Sequence, residues 1–196
     1  MPSIAIGNRN ELAPQLLSEM HAFRHEVFIR RLGWSLPLVE KIERDQYDHE
    51  DAVYLMACDT ESRVTACARL IPTTGAYMLP DVFPELLGGA AAPRDPAVWE
   101  LSRFATNVRA THEGRVLSLS QPTLDLLNSV FSFARQRRIK QLVLVTSVAI
   151  ERLMIRAGLD AHRMGAPAQV FGTLCVALVL EVGESEEQQH VKAALN

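Results

Sequence analysis

The chain has 196 residues, 48% of them hydrophobic and 22% charged, which suits one globular domain spanning residues 1–196 rather than two smaller ones. A formal net charge of −3 excludes the global basic field of a nucleic-acid binder, so no nucleic-acid partner is expected. No apolar run approaches the ~18 residues of a membrane span, and MPSIAIGNRNEL has no basic segment ahead of a long apolar stretch, so a cytoplasmic protein without membrane attachment is expected.

Ser3 to Gly7 reads as a short first strand. From Leu12 the residues Leu12, Leu16, Met20, Phe23 and Val27 step by three or four, the spacing of an amphipathic helix, and Arg24 and Phe28 sit four apart on the border of that stripe. Gly33, Trp34 and Pro37 break the pattern, and residues 34–51 are polar, acidic and without period, as in a long functional loop. Ala52–Cys58 and Arg63–Ile71 read as strands paired around the turn-forming Asp59 to Ser62. Residues 72–96 are a Pro- and Gly-rich excursion with one helical turn, Phe83 to Leu87, and Val98–Asn107 reads as a further strand. A helix is predicted over Gln121–Arg137 with Ser120 as its N-cap and Pro122 in its first turn. The β-prone run Lys140–Thr146 follows, then a helix over Val148–Ala157 that Gly158 ends, then a long strand or hairpin over Gln169–Val182. Residues 183–196 are an acidic, polar tail, expected to fray.

Strands that alternate with helices in the second half imply some parallel pairing, with helices on both sheet faces. By analogy, this order resembles the N-acetyltransferase-like fold, an α/β/α three-layer sandwich with a mixed central sheet. The cysteines Cys58, Cys67 and Cys175 lack C-x-x-C spacing and read as reduced core thiols, and the six histidines show no metal-ligand spacing, so no metal is expected.

Four groups carry candidate chemistry: Arg24 with Phe28, Trp34 followed by Asp45 and Asp48, Arg69 within a strand, and the run Trp99–Phe104. Each has an ordinary structural explanation when taken singly, as a solvated helix face, turn residues or a strand's outer face. Together, FRHEVFIRRLGW (Phe23 to Trp34), ERDQYD (Glu43 to Asp48), CARLIPTTGAYML (Cys67 to Leu79), DVFPELL (Asp81 to Leu87), WELSRFA (Trp99 to Ala105) and VTSVAIERLMIRAG (Val145 to Gly158) resemble the acyl-homoserine-lactone synthases, the autoinducer synthases of bacterial quorum sensing. The resemblance covers about residues 20–165 and places the family's signature on Arg24, Phe28, Trp34, Asp45, Asp48, Arg69, Glu100, Ser102 and Arg103.

The resemblance implies a two-step reaction. The amine of S-adenosylmethionine attacks an acyl thioester on acyl carrier protein, and the methionine carboxylate then displaces the sulfonium, closing a lactone and releasing 5′-methylthioadenosine. S-adenosylmethionine is thus a substrate, and no cofactor is expected. A substrate ammonium must lose a proton before it attacks, and Glu100 is the candidate base; an ion pair with Arg69 or Arg103 is its structural alternative. Phe28 and Trp34 offer aromatic faces to the sulfonium. Arg24 or Arg103 can clamp the attacking carboxylate by two parallel hydrogen bonds, while Asp45 and Asp48 suit pairing with Arg24 or Arg69, pinning the loop.

Between Arg109 and Gln121 the only glycine is Gly114, so the pyrophosphate cradle of coenzyme A users is missing, which favours a carrier-protein donor. Arg135, Arg138, Arg152 and Arg156 are candidate docking cations for that acidic partner, or equally, cations suited to helix C-termini. An acyl pocket is expected between the sheet and the two later helices, lined by some of Met78, Leu79, Phe83, Leu119, Leu127, Val143, Thr146 and Met154. Two rivals remain: a generic N-acetyltransferase, and a binding module that kept the fold without the chemistry. Finally, strand alternation would put Glu100 and Arg103 on opposite faces, so a β-bulge is expected between Glu100 and Ala105 if both serve one site.

Overall fold

The computed structural model describes residues 3–34, 42–107 and 120–183. The elements are β1 (Ser3–Asn8), α1 (Pro14–Arg24), β2 (Val53–Cys58), β3 (Val64–Pro72), α2 (Met78–Val82), β4 (Val98–Thr106), α3 (Gln121–Gln136), β5 (Gln141–Ser147), α4 (Val148–Arg156), β6 (Ala161–Arg163), β7 (Ala168–Val170) and β8 (Thr173–Glu181). One sheet takes the order β1-β2-β3-β4-β5-β8-β6, with β7 also pairing β8. Among the described residues only the β4–β5 pairing is parallel, so the sheet is mixed, as expected.

Helices cover both faces, which is why β2 and β3 are apolar along nearly their whole length instead of alternating. On one face Met20, Val27 and Phe28 pack with Met78 and Leu79 of α2 against Tyr54, Met56, Cys67 and Ile71. On the other, Leu126, Leu127, Val130 and Ala134 of α3 lie over Val53, Leu55, Ala68 and Leu70, and Met154 of α4 joins the same cluster. The three layers are thus α1 with α2, the sheet, and α3 with α4.

Local signals act as chemistry dictates. The Ser120 hydroxyl accepts the Thr123 N–H at the start of α3, and Ser147 accepts that of Ile150 at the start of α4. Gly158, at φ +81°, ends α4. The final hairpin turns through Phe171 and Gly172, both at positive φ, and leaves the Phe171 ring 88% exposed.

Three elements differ from the sequence reading. The first helix does not run on in α form to Val27: His25–Arg31 is a π-helical segment, and the N–H groups of Leu32 and Trp34 just after it reach back to the carbonyls of Val27 and Phe28. Residues 72–96 hold α2 as well as a 3₁₀ turn at Pro84–Leu87. The short strand β6 was not anticipated.

One seam positions the site. β4 and β5 pair only from Val98 opposite Gln141 to Glu100 opposite Val143. Beyond that point β4 pairs with β3 alone and β5 with β8 alone, so the two parallel strands part company. The expected bulge lies just past the parting, where Arg69 pairs with Ser102 and Cys67 with Ala105, leaving Arg103 and Phe104 both opposite Ala68. Arg103 takes φ +50°, an uncommon value for a side-chain-bearing residue, at a cost of roughly 1–3 kcal/mol.

Candidate active site

Ser102 shares the face of Glu100 by strand alternation, and the bulge brings its neighbour Arg103 onto that same face. There they meet Arg24 from α1, Arg69 from β3 and the segment Glu43–Asp48. Asp48 receives Nη1 and Nη2 of Arg24 at 2.7 and 3.0 Å, Nη1 of Arg69 at 3.0 Å and the Tyr54 hydroxyl at 3.0 Å. Asp45 holds Arg69 through both oxygens, at 2.5 and 3.1 Å, and Nη2 of Arg103 at 2.6 Å. Glu43 accepts from Nε of Arg24 and from Nε of Arg103, the latter at 3.0 Å. Ser102 accepts from Nε of Arg69 at 3.1 Å.

Three guanidiniums therefore face three carboxylates, almost entirely out of water. Burial alone would raise the Asp48 carboxyl, but Arg24 and Arg69 hold it well below the usual carboxylate range. Burial likewise opposes the charge on Arg24, and Asp48 and Glu43 overcome it, raising that group still further. The Asp45 side chain is the cluster's open edge, at 19% exposure against about none for Arg24 and Arg69.

These contacts answer which acid pairs with which arginine and correct one expectation. Arg24 has no edge left to clamp a substrate carboxylate, because all three of its nitrogens are engaged by Asp48 and Glu43. It holds the Glu43–Asp48 segment against α1. Arg69 and Ser102 act similarly, as braces for Asp45.

Phe28 and Trp34 stack with centroids 4.7 Å apart, and the Arg103 guanidinium carbon lies 5.6 Å from each ring centroid. Phe28 is buried and backs Trp34, whereas Trp34 is 41% exposed, so the accessible aromatic surface belongs to Trp34.

Glu100 makes no ion pair with Arg69 or Arg103. Its two oxygens accept the N–H groups of Met78 and Leu79 at 3.0 and 2.7 Å, at the start of α2. Burial raises its carboxyl above the ordinary glutamate value, and the two amides and more distant arginines offset this only in part. A buried carboxylate with raised proton affinity, held by backbone rather than neutralised by a guanidinium, has the properties of a general base. It also stands at the last residue of β4 that pairs with β5, where the seam between the two opens.

The acyl-pocket candidates divide between the two faces of the sheet. Met78, Leu79, Phe83 and Val143 belong to the core on the α1 and α2 face, while Leu127 and Met154 belong to the core under α3 and α4. The sheet stands between them, so no single pocket between the sheet and the later helices gathers all of these. Met78 has a further occupation: its sulfur lies 3.1 Å from Nη2 of Arg69 and 3.4 Å from Nη1 of Arg103. Thr146 is half-buried on β5 beyond its pairing with β4, and Leu119 and the Arg109–Leu119 stretch lie outside the described residues.

Arg152 and Arg156 are exposed on successive turns of α4, Arg138 is exposed just after α3 and Arg135 is half-buried. Among the described residues, none of the four has a carboxylate within ion-pair distance, whereas the neighbouring Glu151 is taken by Arg163. The sequence reading missed Glu43 altogether, although it quoted the ERDQYD run that contains it. A charged side chain in a polar segment looks solvated until the partners it meets, 19 and 60 residues away, are known.

Fold and site together define an enzyme-like α/β/α sandwich of the N-acetyltransferase type. A putative N-acetyltransferase from Lactobacillus plantarum superposes with a TM-score of 0.62 at 16% identity, a likeness of fold alone. The autoinducer synthase family profile matches residues 8–191, and the chain belongs to that family. An acyl-homoserine-lactone synthase of Pseudomonas aeruginosa is 40% identical over 181 residues, covering 91% of this chain and 89% of its own. The crystal structure of the synthase LasI superposes with a TM-score of 0.85 at 37% identity, covering 97% of this chain and 95% of that one. A coenzyme A-dependent synthase, BjaI, solved with S-adenosylmethionine and isopentyl-coenzyme A, superposes at 0.84 with 28% identity, covering 97% and 87%.

Proposed function

We propose that this protein is an acyl-homoserine-lactone synthase that acylates S-adenosylmethionine from acyl carrier protein and then lactonises the product. The observation that carries this reading is the position of Glu100 where β4 and β5 part, beside a buried arginine–carboxylate cluster whose exposed rim is Trp34. Trp34 receives the sulfonium, a cation over an aromatic face gaining roughly 0.5–2 kcal/mol. Glu100 removes a proton from the substrate ammonium, directly or through one water. The free amine attacks the thioester carbon, the amide C–N bond forms, and the C–S bond breaks to release the carrier thiol. The methionine carboxylate then attacks its own γ-carbon, and the second C–S bond breaks, its electron pair leaving with 5′-methylthioadenosine. Nothing is oxidised or reduced, S-adenosylmethionine enters as a substrate, and the reading invokes no cofactor and a cytoplasmic setting.

The basic residues on α4 and at the end of α3, which have no carboxylate partner among the described residues, support a carrier-protein donor, since they suit an acidic docking partner. The likeness to BjaI supports coenzyme A as a second reading. Release of 5′-methylthioadenosine, measured with matched acyl-carrier-protein and acyl-coenzyme A donors, tests both. A higher kcat/KM for the carrier protein is the expected result. Release with neither donor would overturn the synthase reading only if other acyl chain lengths also failed.

A further inference from the structure

We infer that Glu43 is a positioning residue for S-adenosylmethionine, acting through Arg103 on Trp34; the inference rests on the synthase reading above. Glu43 is buried, and its two oxygens divide between two arginines: Oε2 takes Nε of Arg24, while Oε1 takes Nε and Nη2 of Arg103 at 3.0 and 2.9 Å. Its backbone is pinned to α1 as well, the N–H donating to the His21 carbonyl at 3.4 Å and the carbonyl lying 2.9 Å from Nδ1 of His21. Glu43 is thus fixed from the α1 side and passes that fixity to a residue on β4.

Arg103 needs such a tie. It stands in a bulge at φ +50°, where the regular ladder does not set its direction. Its other charged anchor, Asp45, is the most exposed acid of the cluster, and its remaining contacts are the Met78 sulfur and the faces of Phe28 and Trp34. Trp34 follows the π-helical segment and is held back to it by its N–H to the Phe28 carbonyl at 3.0 Å. The guanidinium that Glu43 aims therefore lies 5.6 Å from both rings of the Phe28–Trp34 stack, and so borders the exposed indole that Phe28 backs. Asp45 and Asp48 hold Arg69, but Glu43 does not touch it, so loss of Glu43 is felt at Arg24 and Arg103.

The test compares Glu43→Gln and Glu43→Asp with the parent, all in a Trp99→Phe background that leaves Trp34 as the single tryptophan. Glu43→Gln keeps the shape but must turn an amide NH₂ toward one guanidinium. It should raise KM for S-adenosylmethionine about tenfold or more, leave KM for the acyl donor within about twofold, and shift Trp34 emission without substrate present. Glu43→Asp keeps the charge and should fall between, which supplies the reading if the glutamine variant does not fold. Unchanged Trp34 emission with unchanged KM for S-adenosylmethionine would overturn the inference. So would a uniform fall in kcat with both KM values intact, which marks a purely structural role. Should the parent itself release no 5′-methylthioadenosine, the synthase reading fails, yet Trp34 emission still decides whether Glu43 sets the indole.

Discussion

The N–H of Met78 donates to Oε2 of Glu100 at 3.0 Å, while the sulfur of the same residue lies 3.1 Å from Nη2 of Arg69. One residue thus joins the candidate base to the ion-pair cluster, although the two never touch. Replacing Glu100 by Gln keeps an acceptor for one of the two amides and leaves the other buried N–H without one, at a cost of roughly 1–3 kcal/mol. The variant should fold, with kcat lower by about 10²–10⁴. In the parent, the base form exists only above the raised carboxyl value, so the acid limb of kcat/KM should lie above the 4.5 of an ordinary glutamate. A stopped-time assay across pH, with circular dichroism of the variant, checks both.

Asp48 and Asp45 should differ in what they cost. Asp48 satisfies two arginines and Tyr54 away from water, so Asp48→Asn leaves buried positive charge uncompensated and should cost about 3–5 kcal/mol. Asp45 sits at the open edge, where water can replace part of what is lost, and Asp45→Asn should cost distinctly less. Urea unfolding of the two variants ranks them. The Asp48 carboxyl is depressed, so its contribution is complete above 3.8 and is lost as pH falls through the folded value.

His21 should make stability fall on mild acidification. Burial and then Arg24 hold its ring below 6.5, and Asp48, the Glu43 carbonyl and Arg44 are the other groups that face it. The unfolded chain then binds the proton more readily than the folded one, so stability drops as pH falls from about 6.5 toward the folded value. Glu100 acts with the opposite sign: its raised carboxyl favours the folded state below 4.5, and that contribution is lost as pH rises. Comparing His21→Gln with the parent isolates the histidine. The urea midpoint should change less between pH 7.5 and 5.5 in the variant.

Reversing the charge of Arg152 and Arg156 should raise KM for an acyl carrier protein donor and leave KM for S-adenosylmethionine nearly unchanged. Both side chains are exposed on α4, remote in sequence from the cluster around Arg103. Exposed charges steer association and are screened by salt, so donor use in the parent should also weaken as ionic strength rises to ~0.5 M. Insensitivity to salt would count against electrostatic docking.

What was legible in the sequence was whatever rests on local rules. Ser120 and Gly158 mark helix ends by their own chemistry, and strand parity, once Glu100 and Arg103 are assigned to one site, calls for a break near Arg103 that the register shows. The π-helical segment carries no periodic signature, and α2 is a five-residue helix with Pro80 inside it, so neither could be read from spacing. The sequence left open whether Arg24 clamps substrate or pairs with an acid, because its two acids come from another segment, and burial, not spacing, decides whether an arginine has an edge to offer. Which of the acyl-pocket candidates share a face was not legible, because residues alike in chemistry fall on opposite faces of the sheet.

The seam between β4 and β5 has a consequence for how the chain can be divided. Two antiparallel half-sheets, β1–β4 and β5–β8, share only three paired positions, which invites the thought of two separable halves. The helix that caps the first half, α3, comes from the second half of the sequence: Leu126, Leu127 and Val130 lie over Val53, Leu55 and Leu70. Each fragment made by cutting between Asn107 and Ser120 therefore carries part of the other's core. Neither should fold alone, and the two should regain structure on mixing, as the halves of a clasp close only on each other.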